Sequence, residues 1–287
     1  MVRRTALGGI DWDRVHAVAE TLALVPVEAL EVIELGDPQY RAIRLVAEKM
    51  GLRGLAFVVA NALVSYRLTS RGEDYWVEFS ERLTSEKPTS ITGFFEKFLP
   101  TSRGNRLLAR QKLSRLQRAS RVLEGIIERP EEYADLRRLI RELAHVLGAK
   151  NYEKTIVFAA KMAYYFFKAV GVNVRGLEDI PVPIDSRFAL VTATSGMVYD
   201  KPARIAARPE QALNAWREVS AKSGIPQIHL DALVWLPAAG LDRALRRGLE
   251  FAREHFARNL YSYLSRAISW EEAQRIAVEL VNEYPPN

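Results

Sequence analysis

At 287 residues, 48% hydrophobic and 26% charged, the chain is long enough for one large domain or two subdomains of ordinary globular polarity. It has no cysteine, which removes disulfides, thiolate nucleophiles, zinc–thiolate sites and iron–sulfur clusters at once. The balance of 41 basic against 35 acidic residues leans toward a polyanionic partner. No run of about 18 apolar residues occurs, so no membrane-spanning helix and no membrane partner is expected. Residues 1–9 are basic without an apolar core, which speaks against secretion and for an intracellular protein of cytoplasm or nucleoid. Few Asn and Gln beside abundant charge fit a heat-adapted protein.

In chain order nearly every segment reads as helix. Asp11 caps a first helix through Val25, and Pro26 opens a short second one through Leu35. Asp37-Pro38, a cap followed by proline at the first helical position, starts a helix ending at Met50. Residues 52–68 are apolar enough for a core helix, and Gly72 precedes a helix bearing Tyr75, Trp76 and Phe79. After a loop at 85–89, Ser90 caps the segment 91–99. Residues 105–123 predict a long helix with Arg106, Arg110, Lys112, Arg115, Arg118 and Arg121 and no acidic residue. Such a run is either a solvated face or a phosphate-contacting one. Pro130 opens a helix to Leu147.

A turn at Gly148, Ala149, Lys150 and Asn151 leads into an apolar helix, and Pro183-Ile184-Asp185 leads into another through about Ser195. No alternating strand pattern of useful length appears, although residues 188–192 could pass for a strand in isolation. A loop with Lys201-Pro202, helices at 209–222 and 226–236, and two amphipathic helices at 241–267 and 269–284 complete the chain. No repeat and no domain-separating linker is visible. The expectation is an all-α fold of two helical lobes with a central cleft, one lobe built from residues 1–50 plus 180–287 and the other from 51–179.

Standard sites are missing. There is no Gly-rich phosphate loop and no His-Glu-x-x-His, and His16, His145, His229 and His255 are scattered, so no metal and no cofactor is implied. One helix stands out instead. Only 10 of the 41 basic residues are lysine, yet Lys150, Lys154, Lys161 and Lys168 crowd one short segment. Lys154, Lys161 and Lys168 recur every seven residues and so lie along one line of a helix that is otherwise apolar. The plain reading is a solvated stripe; the chemical one is a cleft-facing amine. At Lys154, in the first helical turn, the positive dipole end, apolar surroundings and the neighbouring Lys161 all favour the neutral, nucleophilic form. Asp185 at a helix start is explained by capping alone, or by a carboxylate that stabilises cationic charge. Trp76, Phe158 and Trp235 read most simply as core aromatics, and Asp231 and Trp235 share a helix face.

The segments DPQYRA (37–42), NALVSYRLTSRGEDYW (61–76), GAKNYEKTIVFAAK (148–161), PVPIDSR (181–187) and IPQIHLDALVWL (225–236) resemble, in order, the archaeal 8-oxoguanine DNA glycosylases, a branch of the helix-hairpin-helix DNA glycosylase/lyase superfamily. The resemblance implies a monomeric base-excision repair enzyme acting on DNA that contains 8-oxoguanine. In that family's terms Lys154 is the nucleophile and Asp185 the catalytic aspartate. The amine attacks C1′, expels the base and leaves a Schiff base, and β-elimination then nicks the strand. The resemblance also puts Trp76, Phe158, Pro183 and Trp235 around an everted base, with Gln39, Lys161 and Asp231 on its edge. It assigns the turn from Gly148, with Lys150 and Arg187, to the DNA backbone. The turn has a single glycine where the superfamily has Gly-x-Gly, which weakens the phosphate assignment. Past Leu236 the resemblance fades. Two other readings stand beside it: a glycosylase of the same superfamily for oxidised pyrimidines, and a non-catalytic helical DNA-binding protein.

Overall fold

A computed structural model describes residues 9–286; residues 1–8, most of the basic N-terminal segment, lie outside the described residues. The described residues hold sixteen α-helices, three short 3-10 turns and no strand, as the all-α expectation requires. The chain divides into two compact units, Asp37–Ile180 and the described residues on either side of it.

Chain order begins in the flanking unit with α1 (Trp12–Leu22) and α2 (Val27–Gly36). Asp11 caps α1 by accepting from the Arg14 N–H at 3.1 Å. The helix stops three residues short of the expected Val25, and Leu24 is exposed.

The unit Asp37–Ile180 contains α3 (Pro38–Met50), α4 (Gly54–Leu63), α5 (Gly72–Glu86), α6 (Ile91–Thr101), α7 (Ala109–Glu128), α8 (Leu136–Leu147) and α9 (Lys154–Val170). The Asp37 carboxylate accepts the Gln39 N–H at 2.8 Å and Pro38 pre-sets the first turn, so α3 starts where the sequence predicts. Every residue of α4 is buried, as expected of a helix apolar on all sides, and it packs between α7 and α9. Gly54 is required there, because a Cβ would lie 2.8 Å from Val46 and 3.1 Å from Phe166. Phe79, Phe94, Phe95 and Phe98 form an aromatic cluster between α5 and α6, with ring centroids 5.2–6.2 Å apart.

Three expectations fail in this unit. The core helix of 52–68 ends at Leu63, because the Ser65 hydroxyl bonds back to the Asn61 carbonyl (2.7 Å) and the Val64 carbonyl is taken by the Asn105 side chain (3.1 Å). The basic helix does not begin at Asn105. Residues 102–108 form a loop, Leu108 adopts a left-handed φ of +58°, and α7 runs from Ala109 to Glu128. The helix expected over 130–147 is broken at Asp135, where the backbone of Ala134 and Leu136 pairs with Arg175 and leaves only a 3-10 turn before α8.

The flanking unit continues with α10 (Ser186–Thr194), α11 (Pro202–Ala207), α12 (Glu210–Ser223), α13 (Gln227–Trp235), α14 (Leu241–Leu245), α15 (Leu249–Leu264) and α16 (Trp270–Leu280). Residues 188–192 are helical, not a strand: Asp185 caps them, and the Trp216 indole beside Phe188 donates to Thr192 at 2.8 Å. A short helix replaces the loop expected at 201–202, and the helix expected over 241–267 is split at Gly248, whose φ is +129°. Ser269 and Glu272 cap α16 reciprocally. No helix of the described residues is long and apolar enough to cross a membrane.

Candidate active site

In the unit Asp37–Ile180 the predicted residues gather around α9. Lys154 is its first residue, preceded by the cap position Glu153. Arg115 reaches from α7 to this helix start and donates to the Glu153 carboxylate (2.8 Å) and the Thr155 hydroxyl (2.6 Å). Arg118 donates to the last carbonyl of α8 at 3.4 Å. These two cations of the basic helix therefore clamp the turn that presents Lys154. Lys154 itself is exposed, so the enclosure among apolar side chains expected for it is not supplied by this chain.

One heptad on, Lys161 is only 2% exposed, which rules out a solvated stripe. Its amine lies 4.0 Å from the buried Asp37 carboxylate and 5.0 Å from the centre of the Tyr165 ring. The Tyr165 hydroxyl donates to the same carboxylate at 3.0 Å. Burial pushes the Asp37 carboxyl above its ordinary range; the Lys161 charge, the Gln39 N–H and the Tyr165 hydroxyl pull the other way. Lys168, the third lysine, is half-buried against Tyr164. Asp37 was legible in the sequence only as a helix cap, and nothing local marks it as the counter-ion of Lys161. Beside this pair Gln39 is buried, and half-buried Phe158 meets the edge of buried Trp76 at 6.0 Å.

The turn before α9 starts at Gly148, whose φ of +61° ends α8 in a left-handed cap. The Gly148 and Ala149 amides bond to the carbonyls of His145 (3.2 Å) and Ala144 (2.9 Å). Gly148 thus sets the path of the turn while its own N–H is spent on the helix end. Lys150 lies over the Tyr152 ring at 5.2 Å.

The flanking unit carries the other predicted residues. Asp185 is half-buried and accepts three N–H groups, from the Arg187 and Phe188 backbone (2.9 Å each) and from the Trp235 indole (2.8 Å). One carboxylate oxygen caps α10 and the other is fixed from α13, so capping alone does not describe this residue. The Arg187 guanidinium sits 3.9 Å over the Trp235 ring. Trp235 does two things at once: its N–H orients Asp185 and one face of its ring carries a cation. Pro183 is buried just ahead of Asp185, and Asp231 is buried one turn before Trp235 on α13. Behind them Glu34 of α2 meets His229 at 2.7 Å, a pair that holds α13 against α2.

The family model of AGOG N-glycosylase/DNA lyases matches residues 19–274. The chain belongs to the AGOG N-glycosylase/DNA lyase family. Its curated relatives include an N-glycosylase/DNA lyase of Methanopyrus kandleri, 39% identical over 73% of this chain and 83% of the relative. Another is from Aeropyrum pernix, 32% identical over 96% and 98%. Among solved structures, the 8-oxoguanosine complex of the Pyrobaculum aerophilum 8-oxoguanine DNA glycosylase superposes with a TM-score of 0.75. It is 28% identical and covers 96% of this chain and all of that one. Family membership extends past Leu236, where the sequence resemblance faded, to include α14 and α15.

Proposed function

We propose that this N-glycosylase/DNA lyase excises 8-oxoguanine from DNA and then nicks the strand, with Lys154 as nucleophile and Asp185 as its acidic partner. The unprotonated Lys154 amine attacks C1′ of the lesion nucleotide, and the bond from C1′ to the base nitrogen breaks. The base departs with the electron pair and takes up a proton. Opening of the sugar ring gives an iminium between Lys154 and C1′; loss of a C2′ proton then expels the 3′ phosphate by β-elimination. Asp185 takes the proton that leaves the amine and stabilises the cationic sugar.

Two observations support this reading: in one unit a lysine stands at the first position of α9, and in the other an aspartate is held by three N–H donors. Lys154 is exposed in the free protein, so bound DNA is the group that desolvates it. Gln39, Trp76, Phe158, Lys161, Pro183, Asp231 and Trp235 are proposed to receive the everted base, and Lys150, Arg187 and the Gly148 turn to hold the backbone. The enzyme acts on cellular DNA, as a monomer inside the cell. Borohydride trapping on an 8-oxoguanine duplex is the test. The wild type forms a covalent adduct and Lys154→Ala does not; an adduct that survives Lys154→Ala overturns the assignment. Full strand cleavage by Asp185→Asn would reduce Asp185 to a helix cap. Excision of oxidised pyrimidines in preference to 8-oxoguanine would favour the other glycosylase reading.

A further inference from the structure

Asp37 is fully buried, and helix capping does not explain why. A cap needs one oxygen and works at the surface: Asp11, Asp135 and Asp185 cap their helices half-buried, and Ser90 and Ser269 do so exposed. Taking a carboxylate wholly out of water is costly unless both of its oxygens are engaged. In Asp37 they are. Oδ1 accepts the Gln39 N–H at 2.8 Å, whereas Oδ2 accepts the Tyr165 hydroxyl at 3.0 Å and lies 4.0 Å from the Lys161 amine. Tyr165 is itself fully buried and set edge-on against Tyr40, with ring centroids 5.4 Å apart, so its hydroxyl has a fixed place. The repulsion of Glu73, on α5, is smaller than the attraction of Lys161.

Two of the side chains proposed to meet the base edge therefore hang on one carboxylate. Gln39 is buried in the first turn of α3, and its amide nitrogen faces Gly72 at the start of α5, 3.8 Å from where a Cβ would stand. Lys161 follows Phe158 on α9, and the Phe158 ring meets Trp76 of α5. Lys154 stands about two helical turns before Lys161, roughly 10 Å along the axis, so reading the base and attacking the sugar fall to separate parts of one helix. We propose that Asp37 is the positioning residue of the base contacts in this unit: clamped by Tyr165, it fixes Gln39 and Lys161 where the everted base arrives, and it takes no part in the chemistry at Lys154. This rests on the DNA-repair reading above. Beside an ionised carboxylate a buried lysine stays an ammonium, which offers N–H donors and no acceptor. Lys161 thereby presents donors to the carbonyl oxygens of an oxidised purine. Without Asp37, burial would drive the amine toward its neutral form and change the edge it reads.

The test separates base release from strand nicking. Asp37→Asn keeps a side chain that caps α3 and accepts the Tyr165 hydroxyl but carries no charge, and Tyr165→Phe removes the clamp alone. Single-turnover release of 8-oxoguanine from a duplex should fall roughly ten- to a hundred-fold in Asp37→Asn, the range expected when a charge-assisted contact is lost, and about five-fold in Tyr165→Phe. Nicking of a duplex that already carries an abasic site needs Lys154 but no base edge, so both variants should cut it at the wild-type rate. Parallel falls in the two assays overturn the proposal, because a distorted fold or a displaced α9 slows both. Unchanged release overturns it as well. Should Asp37→Asn fail to fold, Tyr165→Phe, which loses a single oxygen, decides by the same comparison. A wild-type protein that nicks abasic sites but releases no 8-oxoguanine fails the parent reading instead, so the two failures are distinguishable.

Discussion

Lys112 offers a quantitative check on how the basic helix is used. Its side chain is fully buried, its amine donates to Asn105 and lies 5.0 Å from the Tyr66 ring centre, and burial pulls it down from 10.5 to about 8. The unfolded chain therefore binds a proton that the folded one has released between those two values. Stability then rises with pH across that window, and at neutral pH the charged amine is a cost to the fold. At about 1.36 kcal/mol per pH unit the full rise is roughly 3 kcal/mol. Lys112→Met removes the titration and also leaves the Asn105 carbonyl without its donor, an offset of about 1–3 kcal/mol that does not vary with pH. Urea unfolding of wild type and variant at intervals from pH 7 to 11 separates the two effects. The difference in stability should shift by about 3 kcal/mol in favour of the wild type over that range, most of it between pH 8 and 10.5. A flat difference would refute the reasoning: water would then reach the amine, and the anchoring of the 102–108 loop by a dry Lys112–Asn105 contact would fall with it.

Lys161→Met should cost about 3–5 kcal/mol, because it strands the buried Asp37 carboxylate without its cation; adding Asp37→Asn should recover most of the loss. Equal unfolding midpoints for the single and double variants would show that the pair is not coupled. Trp235→Phe keeps a ring under Arg187 but deletes the N–H given to Asp185, at a cost of about 1–2 kcal/mol. Single-turnover excision should slow about ten-fold with little change in KM, and an unchanged rate would remove Trp235 from the positioning of Asp185. Gly148→Ala meets no atom within 4 Å, so its penalty is the backbone alone, about 1–2 kcal/mol in thermal unfolding; a larger loss would point to an unseen close approach.

The sequence by itself determined the helical class, the caps at Asp11, Asp37, Ser90 and Asp185, the fully apolar α4, and the turn that delivers Lys154 to the first position of α9. These are effects of range one turn or less: a cap bonds to an N–H two or three residues on, and periodicity is read within a single helix. The order of the five motifs also placed the chain in its family. Tertiary structure decided what each charge does. Six basic side chains on one predicted helix looked alike along the chain. Packing buried Lys112, tied half-buried Arg115 to the start of α9 and exposed Arg118 to the end of α8, and left Arg106 and Arg110 without a partner among the described residues. Asp37 became the partner of Lys161, and Trp235, 50 residues from Asp185, became its donor. Burial and electrostatic partnership depend on which distant segments meet, and a charged side chain carries no local mark of the neighbour that will satisfy it.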